Sequence, residues 1–273
     1  MVADRTPSQQ TRAVLALIGL TAAARVLFGL ALGLGVDESY MVSAGRIASL
    51  GYFDHPPIAW WLSRGAAWLT GSEAAIIVRL PFIALFALTT WLMFRLGTEA
   101  RDERAGFWAA AALNASPVFG ITSASWVLPD GPLDCALVGA AVCLVRALRA
   151  PSETRGTLEH ADRNQSSRSN PLSDRMIRAP ARRDHALVWW IGAGLCAGLA
   201  LASKYSAVLT IGGAFLFLAI SRPHRAWLRR PEPWLAGLLA ILVFSPVILW
   251  NAWHGWASFA FQGARAVGPR FRL

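Results

Sequence analysis

The chain is poor in charge and poor in cysteine, and each scarcity excludes something. Only 15% of its 273 residues are charged, well below the quarter or so typical of a soluble domain. Three cysteines, Cys135, Cys143 and Cys196, all fall inside apolar runs. They show neither metal-ligand spacing nor a disulfide framework, and they read as small buried hydrophobes. Acidic residues are also sparse, 16 against 26 basic ones. A basic surplus points to nucleic acid only where it gathers into a patch or stripe. Here it is scattered through polar stretches between apolar runs, so no nucleic-acid partner is expected.

What the chain does have is apolar length. Hydrophobic residues make up 55% of it, with 13 tryptophans. Apolar runs at 13–35, 76–95, 106–122, 131–149, 186–203, 206–221 and 234–250 approach or reach bilayer-spanning length, which for a helix is about 20 residues. The expected fold class is therefore an all-α polytopic membrane protein. The first run, "AVLALIGLTAAARVLFGLALGLG", is long for a signal peptide. It is followed by Asp37 and Glu38 rather than by a small-residue cleavage site, so it is expected to remain as an uncleaved span. Arg25 lies inside it and needs a partner on a neighbouring helix or a snorkelling path to the interface.

The polar stretches sort into two kinds. Segments 95–105, 150–185 and 222–233 are rich in arginine, and the positive-inside rule puts them in the cytoplasm. Segment 150–185 is polar, Pro-bearing and basic, a composition expected to be disordered. An inside N-terminus with about seven spans fits this alternation. The other connectors, 36–75, 126–132, 203–206 and the tail from 251, hold Asp37, Glu38, Asp54, His55, Glu73, Asp130, Lys204 and His254. The groups best suited to chemistry thus converge on one membrane face. Segment 36–75 is too long for a plain connector. Its parts 39–50 and 57–69 read as two amphipathic helices lying in the interface, with "DHPP" as the corner between them: Pro56 keeps His55 out of the helical region, and Pro57 suits a first helical turn.

Several residues are candidates for function. Asp37 and Glu38 follow the first span directly. Adjacent carboxylates there can act as a general base or, with Asp130, ligate Mg²⁺ or Mn²⁺, while an outer helix cap is the plain alternative. Asp54 and His55 can serve a site or only build a turn. Asp130 sits in an Asp-Gly turn signal, and Asp134 follows it one helical turn later, in or near a span, where an ionisable group needs a reason. Lys204, between two apolar runs, can hold a lipid phosphate as a point charge or snorkel, and Tyr205 can support the same phosphate. Arg64 and Arg79 run against the positive-inside trend. They can clamp phosphate by forked bonds, or pair with Glu73 or Asp54. His254 stands among aromatics that suit either a headgroup belt or a sugar ring.

At these residues the chain resembles a family. "VDESY" at 36–40 and "GYFDHPPIAWW" at 51–61 look like the first outer loop of the polyprenyl-phosphate-dependent membrane glycosyltransferases of the GT-C class. The likeness is to the bacterial branch related to protein O-mannosyltransferases and lipid A aminoarabinose transferases. "SEAAIIVRLPF" at 72–82, "NASPVFG" at 114–120, "LPDGPL" at 128–133, "ASKYSAVL" at 202–209 and "SPVILWNAWHGWASFAFQ" at 245–262 extend it in order along the chain. The resemblance implies a GT-C helix bundle with interfacial helices in its first periplasmic loop, and corresponds to the N-terminal half of longer relatives. It implies Asp37 as catalytic carboxylate with Glu38 as companion, Lys204 at the carrier phosphate, His55 in the reaction chamber and Asp130 as a second-loop acid. Metal dependence varies among such enzymes. The implied activity moves a sugar from a polyprenyl-phosphate carrier to a lipid-linked glycan, lipid A or protein acceptor, at the periplasmic face of a bacterial inner membrane. Two other classes stand beside it: a multispan transporter or flippase of a lipid-linked solute, and a truncated, inactive fragment or structural partner.

Overall fold

The structure, a computed structural model, describes residues 7–164 and 171–267; for 150–164, 171–185 and 266–267 it describes the helical backbone alone. Among the described residues every regular element is a helix. Five helices are long and apolar enough to cross a membrane: α1 (Gln9–Ala31), α4 (Ala75–Ala100), the Asp130–Arg149 part of α6, the Ala186–Ser203 part of α7, and α9 (Pro231–Trp253). The chain is a multi-pass membrane protein. Its large exposed side chains fit that environment. Leu20, Leu27 and Leu30 on α1 and Leu238, Ile241 and Leu242 on α9 face outward, where lipid replaces water as the solvent.

The first helix is started by a local device and tied to its neighbours by a distant one. Ser8 caps its N-terminus, accepting a hydrogen bond from the Thr11 amide at 3.0 Å, which satisfies one of the orphan donors of the first turn. Near its C-terminus, Arg25 finds the partner that a charge inside a span requires. It donates to the Gly120 carbonyl at 3.2 Å and to Asn114 Oδ1 at 3.0 Å, and its guanidinium lies over the Phe86 ring at 4.6 Å.

Two sequence-based spans take a different form. The run expected at 106–122 becomes α5 (Glu103–Ala115) followed by a π-helical segment, Val118–Ser123. Pro117 explains the break. Its ring disfavours helical geometry at the preceding residue, and Ser116 is extended at φ −68° and ψ 124°. The run expected at 206–221 is α8 (Ala207–Ile220), 14 residues long. At 1.5 Å per residue that is roughly 21 Å, shorter than the hydrocarbon core of about 30 Å. The segment expected to be disordered, 150–185, is helical where it is described: α6 runs on to Asn164 and α7 begins at Pro171. Alanine, arginine and glutamate in that stretch are good helix formers, the latter two despite their charge. Its residues 165–170 lie outside the described residues.

Small residues let the helices approach closely, as in membrane bundles generally. A Cβ on Gly97 of α4 would lie 2.6 Å from the Cα of Gly106 on α5, so these two backbones touch. A Cβ on Gly194 of α7 would lie 2.5 Å from the Ala236 carbonyl oxygen of α9. One end of the bundle is marked by Ser8 against Glu103 at 2.5 Å and by Arg146 and Arg149 on Glu99 at 3.0 and 3.3 Å. The opposite end gathers the C-termini of α1, α7 and α9, the N-termini of α4, α6 and α8, and two short helices, α2 (Val36–Gly45) and α3 (Ile58–Thr70). Segment 36–75 is thus folded, with "DHPP" between α2 and α3.

Candidate active site

This second end is organised by a buried ion pair. Glu38 and Arg79 are 1% and 2% exposed. Arg79 Nε donates to Glu38 Oε1 at 2.8 Å and Nη2 to Oε2 at 2.5 Å, a forked contact. The same guanidinium reaches back to the carbonyls of Leu32 and Gly33, each at 2.8 Å. These are last-turn and post-helix acceptors of α1, which have no intrahelical partner. Glu38 in turn accepts from the Gly35 amide at 2.9 Å and the Val127 amide at 3.2 Å. One carboxylate and one guanidinium therefore tie together the end of α1, the start of α2, α4 and the connector before α6. Burial works against the charged form of Glu38, yet the Arg79 contact and the two amides hold its carboxyl below the usual range.

These contacts reassign two residues. Arg79, expected to clamp a phosphate, is enclosed and fully engaged with Glu38 and backbone carbonyls. Glu38, expected beside the catalytic acid, has both oxygens committed to the same pair. Asp37 is different. It occupies the first turn of α2 and is exposed, so the clamp at Glu38 presents the neighbouring carboxylate outward at the mouth of the bundle.

A second pair lies beyond the 126–130 connector. Lys204 Nζ meets Asp130 Oδ1 at 2.7 Å, with side chains 33% and 38% exposed. Such a partly solvated pair is worth little on its own, roughly 0.2–1 kcal/mol, so its members are open to exchange. Tyr205, next along, bonds Ser258 at 2.7 Å. His55 lies within electrostatic reach of Asp54, Lys204 and Asp130, and burial holds its imidazole below the ordinary range, with Asp54 opposing.

The "DHPP" corner is braced from several sides. Tyr52 stacks on the fully buried Trp60 at 4.1 Å. Phe53 meets Phe261 of α10 (Ala257–Val267) at 4.7 Å, and the Gln262 amide of α10 donates to the Asp54 carbonyl. Gly51 lies so near Trp250 of α9 that a Cβ there would come within 2.9 Å of the indole. Sequence reasoning missed this role of the 245–262 region. The signal was its string of aromatics, which reads equally well as a headgroup belt.

Two candidate side chains stand apart. Arg64 is exposed and donates to the carbonyls of Gly45 and Arg46 at the end of α2. Its expected ionic alternative belongs to another residue, because Arg46 is the side chain that pairs with Glu73. Arg64 also lines an open groove of about 470 Å³ with Trp61 and Trp68. His254 is exposed, stacked on Trp250 at 4.1 Å and bonded to the Trp250 carbonyl at 2.7 Å, where it ends α9. The trio named for a divalent cation, Asp37, Glu38 and Asp130, forms no common donor set, since Glu38 faces Arg79 and Asp130 faces Lys204. Among the described residues no three His, Cys, Asp or Glu side chains form a metal-holding group.

The sequence and fold have relatives. Residues 54–157 and 176–250 match the family model described as dolichyl-phosphate-mannose-protein mannosyltransferase. The fold is similar to that of the protein O-mannosyltransferase Pmt1–Pmt2 complex of S. cerevisiae bound to the sugar donor, with a TM-score of 0.58 and 19% sequence identity. The similarity covers 94% of this chain and 35% of that one, so the chain spans about a third of the length of the protein it matches. No curated protein matches it by sequence.

Proposed function

This chain belongs to the dolichyl-phosphate-mannose-protein mannosyltransferase family, and from that premise we propose that its outward-facing site transfers a sugar from a polyprenyl-phosphate carrier to an acceptor hydroxyl. The GT-C glycosyltransferase fold and the multi-pass membrane setting follow from the family and the helices. The carrier, the acceptor (a lipid-linked glycan, lipid A or a protein) and the periplasmic face of a bacterial inner membrane belong to the proposal.

The chemistry is a single displacement. The carrier's polyprenyl tail lies in the membrane among the helices, and its phosphate meets Lys204, displacing the Asp130 carboxylate. The acceptor oxygen attacks the anomeric carbon, the bond from that carbon to the phosphate oxygen breaks, and the electron pair leaves with the phosphate. The acceptor's proton passes to Asp37. The products are the glycosylated acceptor and polyprenyl phosphate, with the anomeric centre inverted. Lys204 contributes most where negative charge grows on the leaving oxygen, since fixed charge acts on the difference between ground and transition states.

The observation that supports this reading is the path of contacts that runs from the Asp37–Glu38 turn to Lys204. Glu38, beside Asp37, bonds Val127, and three residues later Asp130 holds Lys204. A carboxylate and an ammonium thus stand at the same end of the bundle, which supports their use as base and phosphate holder. The test is reconstitution in proteoliposomes with a labelled polyprenyl-phosphate sugar. Sugar leaving its carrier for an acceptor is the expected result. Intact carrier moving between leaflets would replace the enzyme with a transporter, and neither movement would leave a structural partner.

A further inference from the structure

Among the described residues, five side-chain atoms are buried without a hydrogen-bond partner, and four of them belong to this end of the bundle: the carboxylate oxygens Asp54 Oδ1 and Asp134 Oδ2, the ring nitrogen His55 Nδ1, and the indole donor Trp60 Nε1. Leaving such a group unpaired costs about 1–3 kcal/mol, so four at one end favour a ligand over packing alone. Asp134 lies on α6 one turn after Asp130, and i and i+4 share a helix face. His55 and Asp134 are each within electrostatic reach of the Lys204–Asp130 pair, and Ser123 flanks Asp134. His55 and Asp134 therefore lie near the position given above to the carrier's headgroup, and Asp54 adjoins His55 in the chain, though none of the three touches Lys204.

Their chemistry says which part of a ligand they take. An ionised carboxylate oxygen can only accept a hydrogen bond. A polyprenyl chain has no polar hydrogen to donate, and an ionised phosphate diester has none either and would be repelled. The group that meets Asp54 and Asp134 must donate, and on a sugar carrier the donors are the ring hydroxyls. Four residues at 1.5 Å each separate Asp130 from Asp134 by about 6 Å along α6, which is the scale of a pyranose ring with its hydroxyls. We propose that Asp134, with Asp54 and His55, forms a subsite that accepts hydrogen bonds from hydroxyls of the transferred sugar and so sets which sugar is taken. This rests on the glycosyl-transfer reading above and adds the residues that read the sugar, distinct from those that hold the phosphate.

The test separates binding from transfer. The probes are a polyprenyl-phosphate hexose, its monodeoxy analogues and polyprenyl phosphate without sugar. A site built to bond a hydroxyl rejects the analogue lacking it by large factors. The protein is expected to prefer the parent hexose over at least one deoxy analogue by roughly 100-fold or more in kcat/KM. Asp134→Ala should slow transfer of the parent and bring that ratio within about threefold. Asp134→Asn, which keeps the shape and one acceptor oxygen, should fall between. Affinity for polyprenyl phosphate alone should not change in either variant. A ratio that survives in both variants overturns the proposal, as does loss of polyprenyl-phosphate affinity in step with transfer. If the unaltered protein transfers no sugar, the activity reading fails, and the subsite is still decided by binding: equal affinity for polyprenyl phosphate and its hexosyl form refutes it.

Discussion

Removing Arg79 should do more damage than removing any exposed charge of this protein. The Glu38–Arg79 pair is almost fully enclosed, and Arg79→Ala leaves the Glu38 carboxylate facing only the Gly35 and Val127 amides. It also strips the Leu32 and Gly33 carbonyls of their donor. Breaking a buried pair on one side typically costs about 3–5 kcal/mol, because the remaining charge stays in a poorly solvated site. Replacing both partners at once, Glu38→Gln with Arg79→Met, removes that uncompensated charge. It should recover a large part of the loss, with a coupling energy of about 0.5–3 kcal/mol. The assay is reversible unfolding in mixed micelles, followed by tryptophan fluorescence, for both single variants and the double. A loss below about 1 kcal/mol for Arg79→Ala, with no recovery in the double variant, would show that the pair is not the anchor that its burial and geometry imply.

Other outcomes follow from the same structure. Lys204→Ala should weaken binding of polyprenyl phosphate by about tenfold or more, a single charge-assisted contact being worth about 1.5–3 kcal/mol, whereas Asp130→Asn should leave that affinity equal or higher; titration of a fluorescent carrier analogue in nanodiscs reads both. Gly106→Val should disrupt the α4–α5 contact, since even a Cβ there would lie 2.4 Å from the Phe94 carbonyl oxygen. The loss should be at least about 1–3 kcal/mol, seen as a lowered thermal midpoint in detergent. His55 supplies a pH dependence. Its burial favours the neutral ring, and the unfolded chain takes up the proton more readily, so the stability it contributes is complete above about pH 6.5 and is lost as the pH falls below that value. Thermal midpoints measured between pH 7.5 and 5 should show a shallower decline in His55→Gln.

The architecture was legible to the extent that it rests on hydropathy and turn chemistry. The apolar runs locate the long helices, and the two prolines of "DHPP" locate the corner between α2 and α3, because both signals are local. What escaped was non-local. Nothing in "VRLPF" says that Arg79 turns inward to an acid 41 residues earlier rather than outward to a phosphate. Hydropathy likewise gives 206–221 the same weight as the longer runs, although α8, Ala207–Ile220, is only 14 residues long. Asp134 did carry a readable sign, its spacing of four from Asp130 within an apolar run. Its neighbours from α7 and the "DHPP" corner come together only in three dimensions. The resemblance to glycosyltransferases pointed to Asp37 and Lys204, but the contacts around them, Glu38 with Val127 and Asp130 with Lys204, belong to the fold.

The measurement that bears most directly on the proposed activity is the single-turnover rate of sugar transfer from a labelled polyprenyl-phosphate donor, for the unaltered protein and for Asp37→Asn. Loss of a positioned general base typically lowers the rate by 10² to 10⁴. Asp37 is exposed and makes no contact on which the fold depends, so a fall of roughly that size is predicted, with carrier binding and thermal stability unchanged. Transfer by Asp37→Asn at the rate of the unaltered protein would contradict it.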